Sequence, residues 1–340
     1  MTVDYPARFV HFGLGKCAST FLQNVWALDP AYTCVRLDDT AEGIRSLALK
    51  GPPDKLPDFH LSAQPKPNQT MIATSEGLSW GFLTSPEHQH LVPELQKMAA
   101  HLIGRAKTAR TALVMVRNPL DWIRACHEQS IKEGLSDNGK DFIGKNRQLI
   151  KSVLDLRHIY KCLDPYFETI VFLSSDQLRQ DPKSFWKAYE TLLEAPKPKR
   201  KTFKAISAND NLANTSLKDR LQPLAMLNRQ FSTIEQTWES LSDIPGFVAK
   251  ERENNLPLFQ KSSTWAARRV VEFAPDEDLE KICGTLTPQM EDDFCTIPID
   301  DDLKDHLAHN YCDILEQRSQ ISPNLLEAYR ADLNLKTCIA

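Results

Sequence analysis

The stretch His11-Phe12-Gly13-Leu14-Gly15-Lys16-Cys17-Ala18-Ser19-Thr20-Phe21-Leu22 decides the fold. Upstream, Arg8–Gly13 (RFVHFG) reads as a strand; downstream, Ser19–Leu28 places Phe21, Leu22, Val25 and Trp26 on one helical face. A Gly-containing turn from strand to helix aims unpaired N–H groups and the positive end of the helix dipole at one point, where an anion binds well. Gly15, Lys16, Cys17, Ala18, Ser19, Thr20 and Phe21 make up this candidate phosphate loop, with Ser19 and Thr20 adding hydroxyl donors and Lys16 a point charge. Taken alone, the segment is equally a strand-to-helix turn with a solvated lysine. An NTPase P-loop reads GxxxxGK followed by Ser or Thr. Here Cys17 follows Lys16 and offers no hydroxyl for Mg²⁺, and the first glycine of that motif would fall at Val10. A metal-free group transfer suits such a loop better.

Working outward, short apolar runs alternate with helical stretches over the first 195 or so residues. Tyr32–Leu37, Thr70–Ser75, Ala112–Arg117 and Glu168–Leu173 read as strands; Leu91–Arg105, residues 146–162 and Pro182–Leu193 read as helices. Pro119, after Arg117-Asn118, suits the first turn of a further helix, and Asp181 can cap the helix that Pro182 opens. Gly51–Asn68 is Pro-rich and polar, and Pro196–Lys204 is basic and Pro-rich; both read as loops. Near-continuous apolar strands separated by helices imply an α/β fold with a central parallel sheet flanked by helices. After about residue 215 the pattern is mostly helical, giving a core over 1–230 and a helical C-terminal extension over 231–340 that covers an acceptor or mediates oligomerisation.

Composition narrows the functions. Lys and Arg number 41 against 45 Asp and Glu, a net charge of −4, which argues against a general nucleic-acid binder. No apolar run reaches the length of about 18 residues that a transmembrane helix needs, and Met1–Arg8 lacks the plan of a signal peptide, so a cytoplasmic location is expected. The eight cysteines are dispersed, with no CxxC pair and no zinc-like spacing with histidine, so they are expected to be reduced thiols.

Lys16-Cys17-Ala18-Ser19-Thr20 resembles the 5′-phosphosulfate loop of the sulfotransferases that use 3′-phosphoadenosine-5′-phosphosulfate (PAPS), typically Lys-x-Gly-Thr-Thr/Ser, with Ala18 in place of the glycine. Val114-Met115-Val116-Arg117-Asn118-Pro119-Leu120-Asp121-Trp122 is similar to the same family's 3′-phosphate motif, an apolar strand ending in Arg-(Asn/Asp)-Pro, about a hundred residues after the first loop as in the family. An arginine at a strand end can fork two N–H donors onto a phosphate. The family's serine eight residues after that arginine is replaced by Ala125. Phe172–Pro182 resembles the family's late strand and turn, and Asn214 and Ser216 resemble an Asn-x-Ser pattern of bacterial members in the region that closes over the nucleotide. The resemblance implies a P-loop-like sulfotransferase fold, PAPS as the donor with 3′-phosphoadenosine-5′-phosphate (PAP) as product, no metal, and a carbohydrate or small-molecule acceptor. Secretory carbohydrate members usually carry a membrane anchor; no apolar run of that kind is read here, which favours the cytosol as an expectation.

Sulfuryl transfer needs a group on the leaving phosphate oxygen, groups that hold the nucleotide, and a base for the acceptor proton. Lys16 is the candidate for the first, with Ser19, Thr20 and Arg117 for the second. Glu76, directly after the strand Thr70–Ser75, is the candidate base, because at the carboxyl edge of a parallel sheet it would meet Lys16 and Arg117. Gly77, Leu78 and Trp80 are the neighbours that would bury it. His60, His88, His90 and His127 are the rivals. Two other functions are compatible with the residues: a catalytically weakened nucleotide-binding or interaction protein, favoured by Ala18 and Ala125, and a P-loop kinase, disfavoured by Cys17.

Overall fold

Phe9, Val10, Ile72, Ala73, Val114 and Leu173 are all buried, because strands that are covered on both faces leave no side for water. They belong to β1 (Ala7–Phe12), β3 (Thr70–Ser75), β4 (Ala109–Val116) and β5 (Thr169–Ser174); β2 (Tyr32–Arg36) completes the sheet. The structure is a computed structural model, and it describes residues 6–50, 58–61, 63, 65–79, 86–209, 220–241, 249–279, 281 and 294–335. The five strands are all parallel, in the order β2-β3-β1-β4-β5. Phe12 lies opposite Ser75, and Val116 opposite Ser174, so neighbouring strands end at matched levels.

Helices α1 (Ser19–Leu28), α2 (Asp38–Leu49), α3 (Val92–Arg105) and α4 (Pro119–Lys132) follow the first four strands. They are succeeded by α5 (Gly139–Val153), α6 (Leu156–Leu163), α7 (Ser175–Gln180), α8 (Pro182–Leu193) and α9 (Arg200–Asn209). Packing of α2 on α3 and of α3 on α6, against α1 on α9, is what right-handed crossovers running in opposite directions along the sheet produce. The α1 face is fixed by a buried chain of donors: Trp26 Nε1–H donates to Tyr189 Oη at 3.0 Å, and Tyr189 Oη–H donates to Tyr32 Oη at 3.2 Å.

The α/β architecture and the helical C-terminal segment agree with the sequence; four local features differ. β4 starts at Ala109 rather than Ala112, since Ala109 and Thr111 pair with Ala7 and Phe9 despite the polar Arg110 and Thr111. The single helix expected over 146–162 is two, α5 and α6, because Asp155 caps α6 by accepting the His158 N–H. The basic segment Pro196–Lys204 is a loop only as far as Lys199: Arg200 opens α9, whose Thr202 is buried with its hydroxyl on Asp29 Oδ2 at 2.7 Å. Helix α2, unmarked in the sequence reading, buries Ala41, Ile44 and Ala48 at helical spacing, with Asp38 and Asp39 at its positive end. The described residues of the excursion 51–68 carry neither helix nor strand.

The chain divides into two compact units, one of residues 1–123, 146–213 and 299–340, the other of 124–145 and 214–298. The first contains the sheet. It also contains α12 (Asp301–Leu307), a π-helical turn (Ala308–Cys312), α13 (Asp313–Arg318) and α14 (Pro323–Leu335), so the final segment groups with the sheet rather than with 231–298. In the second unit α10 (Leu221–Leu241) packs on α11 (Ala249–Phe273), with Leu224, Ala267, Val271 and Phe294 in one buried cluster. Asn228 Nδ2 there donates to the carbonyls of Ile131 and Leu135, each at 2.8 Å. Among the described residues no helix is long and apolar enough to cross a membrane.

Candidate functional site

The connection leaving β1 runs to one side of the sheet and the connection leaving β4 to the other, so the carboxyl ends of these adjacent strands form the topological switch point. Three of the candidate residues come from strand ends there: Lys16 from the loop after β1, Arg117 directly after β4, and Glu76 directly after β3, β1's other neighbour.

Within the loop, Lys16 (φ 62°) and Ala18 (φ 63°) adopt left-handed backbone, while Cys17 between them does not. Such alternation is the backbone pattern found in anion nests, and here the Cys17 N–H between the two closes the turn onto the Leu14 carbonyl at 3.3 Å. Neither Gly13 nor Gly15 has positive φ. Gly13 is closely enclosed instead: a Cβ there would lie 3.0 Å from His11 Cε1, 3.1 Å from Ser19 Oγ and 3.2 Å from Glu76 Cα, so a side chain would require these neighbours to shift by a few tenths of an ångström.

The carbonyls of Leu14, Gly15 and Lys16 are each held by a side-chain donor. Ser19 Oγ–H donates to Leu14 at 2.9 Å, Trp122 Nε1–H to Gly15 at 2.8 Å, and Arg117 Nη1–H to Lys16 at 3.3 Å. Ser19 is buried, and its hydroxyl donates within the loop itself, to the Leu14 carbonyl. With its acceptors occupied, the loop keeps donors to spare. Helix α1 has no side-chain cap and no acidic residue in its first turn, and its first bond is Leu22 N–H to the Ala18 carbonyl at 3.0 Å. The N–H groups of Ser19, Thr20 and Phe21 have no hydrogen-bond partner among the described residues. Unpaired N–H groups at the start of a helix are of the kind that can receive an anion.

Ala18 occupies the position where the resembling motif has glycine, and it takes a glycine-like conformation. Left-handed backbone costs an alanine about 1–2 kcal/mol, part of which glycine gives back through the unfolded chain's extra freedom. Ala18→Gly is therefore expected to stabilise the protein by roughly 0.5–1 kcal/mol, read as a higher denaturant midpoint at unchanged m-value; a lower midpoint would mean that the turn does not carry this strain.

Glu76 is half-buried and its Oε1 accepts Thr20 Oγ–H at 2.9 Å, which joins the candidate base to the first turn of α1. Thr20 itself is exposed. Leu78 is buried next to it, and Trp80 lies outside the described residues. Arg117 is half-buried; its Nε is buried without a hydrogen-bond partner, and no carboxylate pairs with it among the described residues. Asn118 caps α4 through Oδ1, which accepts the Leu120 N–H at 3.0 Å. Cys17 is fully buried and burial raises its thiol pKa far above the ordinary value, so it is packing and not a nucleophile. Phe21 stacks on Phe203 with ring centroids 6.3 Å apart, leaving its N–H as its contribution to the loop. Asn214 and Ser216 lie outside the described residues.

The histidines fare differently. His60 and His90 are exposed, and His88 is half-buried in the 3₁₀ turn Pro86–Leu91. His127 is a core residue of the second unit: it packs on Phe142 and Phe294, its Nε2–H donates to the Asp137 carbonyl at 2.8 Å, and burial lowers its pKa. His11, unassigned in the sequence reading, is wholly buried beneath Gly13 with Nδ1 on Thr74 Oγ1 at 2.9 Å. Burial, then the Arg36 charge, lowers its pKa to about 3, so it stays neutral and braces β1 against β3. Trp122, Tyr311, Asp176 and Tyr329 also carry no signal in the sequence; the first holds the loop directly and the others support the backbone after β4. No protein-family model matches the sequence, and no curated protein matches it.

Proposed function

We propose that this protein is a sulfotransferase that moves a sulfuryl group from PAPS to a hydroxyl or amine of a carbohydrate or small-molecule acceptor. The observation that carries the proposal is Arg117: a half-buried guanidinium without a carboxylate partner among the described residues, bonded to the backbone of a loop that has unpaired N–H donors. A buried charge is expensive unless something pairs with it, and a dianionic phosphate next to a donor-rich loop meets that need. Two candidate anion-binding features at neighbouring strand ends would fit a nucleotide with phosphates at both ends of its ribose.

The amides of Ser19, Thr20 and Phe21 would hold the 5′-phosphate, with Lys16 beside the oxygen on which charge collects as the sulfur–oxygen bond breaks. Arg117 would fork onto the 3′-phosphate. Glu76 would take the proton of the acceptor O–H or N–H while the acceptor's electron pair forms the new bond to sulfur; the pair from the broken bond leaves on the phosphate of PAP. Thr20, bonded to Glu76, sets the direction of that carboxylate. In this proposal the enzyme works in the cytoplasm.

A thermal-shift comparison of PAP with ATP–Mg²⁺ tests the proposal, since a ligand of the native state raises apparent stability by mass action. Stabilisation by PAP and none by ATP–Mg²⁺ is expected. A shift with ATP–Mg²⁺ alone would replace this function by that of a kinase or NTPase.

A further inference from the structure

The backbone of Arg117 is gripped from far away in sequence. Tyr311 Oη–H donates to the Arg117 carbonyl at 2.6 Å, and the same oxygen accepts the Arg117 N–H at 3.1 Å. Strand pairing of β4 with β5 ends at Val116 and Ser174, so Arg117 is the first residue past the ladder. Its main-chain donor and acceptor have no strand partner on β5, and one buried tyrosine hydroxyl supplies both. The ring is fully buried, and burial keeps the phenol protonated, able to donate and accept at once.

The residue after it is held in the same manner. Asn118 N–H donates to Asp176 Oδ2 at 2.6 Å, and Asn118 Nδ2–H to Asp332 at 2.8 Å. Asp176 Oδ2 also takes Tyr329 Oη–H at 2.7 Å. Tyr311, Tyr329 and Asp332 all belong to the segment 299–335, and Tyr311 stands in the π-helical turn Ala308–Cys312. A π turn in an otherwise α-helical run is costly and persists where it serves a site.

We propose that Tyr311 is a positioning residue for the Arg117 guanidinium, and that it thereby sets the preference for a nucleotide bearing a 3′-phosphate. Segment 299–335 is then a working part of the nucleotide site. This rests on the proposed function, in which Arg117 takes that phosphate. Packing alone would require only the phenyl ring; the two hydrogen bonds to one residue require the hydroxyl.

Calorimetric titration of PAP and of 5′-AMP into the parent protein and Tyr311→Phe tests it. In the variant PAP affinity should fall about tenfold, the usual size for losing a buried hydrogen bond that orients a charged group, while 5′-AMP affinity stays within about twofold. In an Arg117→Ala background Tyr311→Phe should bring no further loss of PAP affinity, because the two act as a unit. Equal losses for both nucleotides, or an unchanged preference for PAP, would overturn the inference. A parent protein without preference for PAP overturns the sulfotransferase function itself, and that outcome is read from the parent alone. Should Tyr311→Phe not fold, Asp332→Ala, which removes the acceptor of Asn118 Nδ2–H, provides a second comparison of how segment 299–335 holds the backbone after β4: PAP affinity is expected to fall about threefold with 5′-AMP unaffected, and an unaltered ratio would overturn the inference.

Discussion

Lys16→Ala is expected to lower kcat for PAPS-dependent sulfuryl transfer by about 10²–10³-fold, the loss typical of removing one group that stabilises charge developing in the transition state. The fold should survive. Lys16 already sits at φ 62°, and alanine tolerates that conformation no worse than lysine does, so the turn is not newly strained. The Lys16 carbonyl, which accepts from Arg117, is also kept. PAP affinity should drop less than kcat, since the ammonium acts most strongly on the oxygen that gains charge as the bond to sulfur breaks. Steady-state kinetics with circular dichroism as the folding control separates these. A variant with parental kcat would remove Lys16 from the chemistry.

Glu76→Gln is expected to lower kcat by about 10²–10⁴-fold, the range for losing a general base, with PAP binding retained. Glutamine keeps the shape and an amide oxygen that can still accept Thr20 Oγ–H, so the β3 end and the first turn of α1 stay joined. Only the capacity to take a proton disappears. Full turnover in Glu76→Gln would return the base assignment to a histidine, for which His88, half-buried in its 3₁₀ turn, is the described candidate nearest to Glu76 in sequence.

The parallel sheet and the meeting of three strand ends were legible because they rest on local pattern. Apolar runs such as Ala112–Val116 announce buried parallel strands, and a charged residue directly after one lands at the carboxyl edge whatever the distant chain does. Glu76 and Arg117 follow from that rule, and Lys16 from the strand-to-helix turn after β1. What failed to show was conformation without a composition signal. An alanine and a lysine in left-handed backbone are invisible in a sequence where two glycines stand nearby and take neither position. The bond from the Ser19 hydroxyl back to the Leu14 carbonyl likewise has no mark in the sequence. The charge density around Arg200 also misled at α9: a run of basic residues reads as loop, while the buried Thr202 and Ile206 give the segment a face to pack. Tyr311 was beyond reach for another reason. Its partner, Arg117, is 194 residues away, and nothing in either neighbourhood foretells a hydroxyl that substitutes for a missing strand.

Ala18 bears on whether the loop still works. Ala18 takes left-handed backbone at a cost in stability. Turnover in the parent protein is the outcome that separates the proposed enzyme from a protein that only binds the nucleotide.

A crystal structure of the protein with PAP tests the central claim most directly. The predicted result is the 5′-phosphate within hydrogen-bond distance of the Ser19, Thr20 and Phe21 amides and beside Lys16, with the 3′-phosphate forked by Arg117 and the ribose bridging the ends of β1 and β4. A nucleotide bound elsewhere, or one in this crevice with the 3′-phosphate turned away from Arg117, would contradict it.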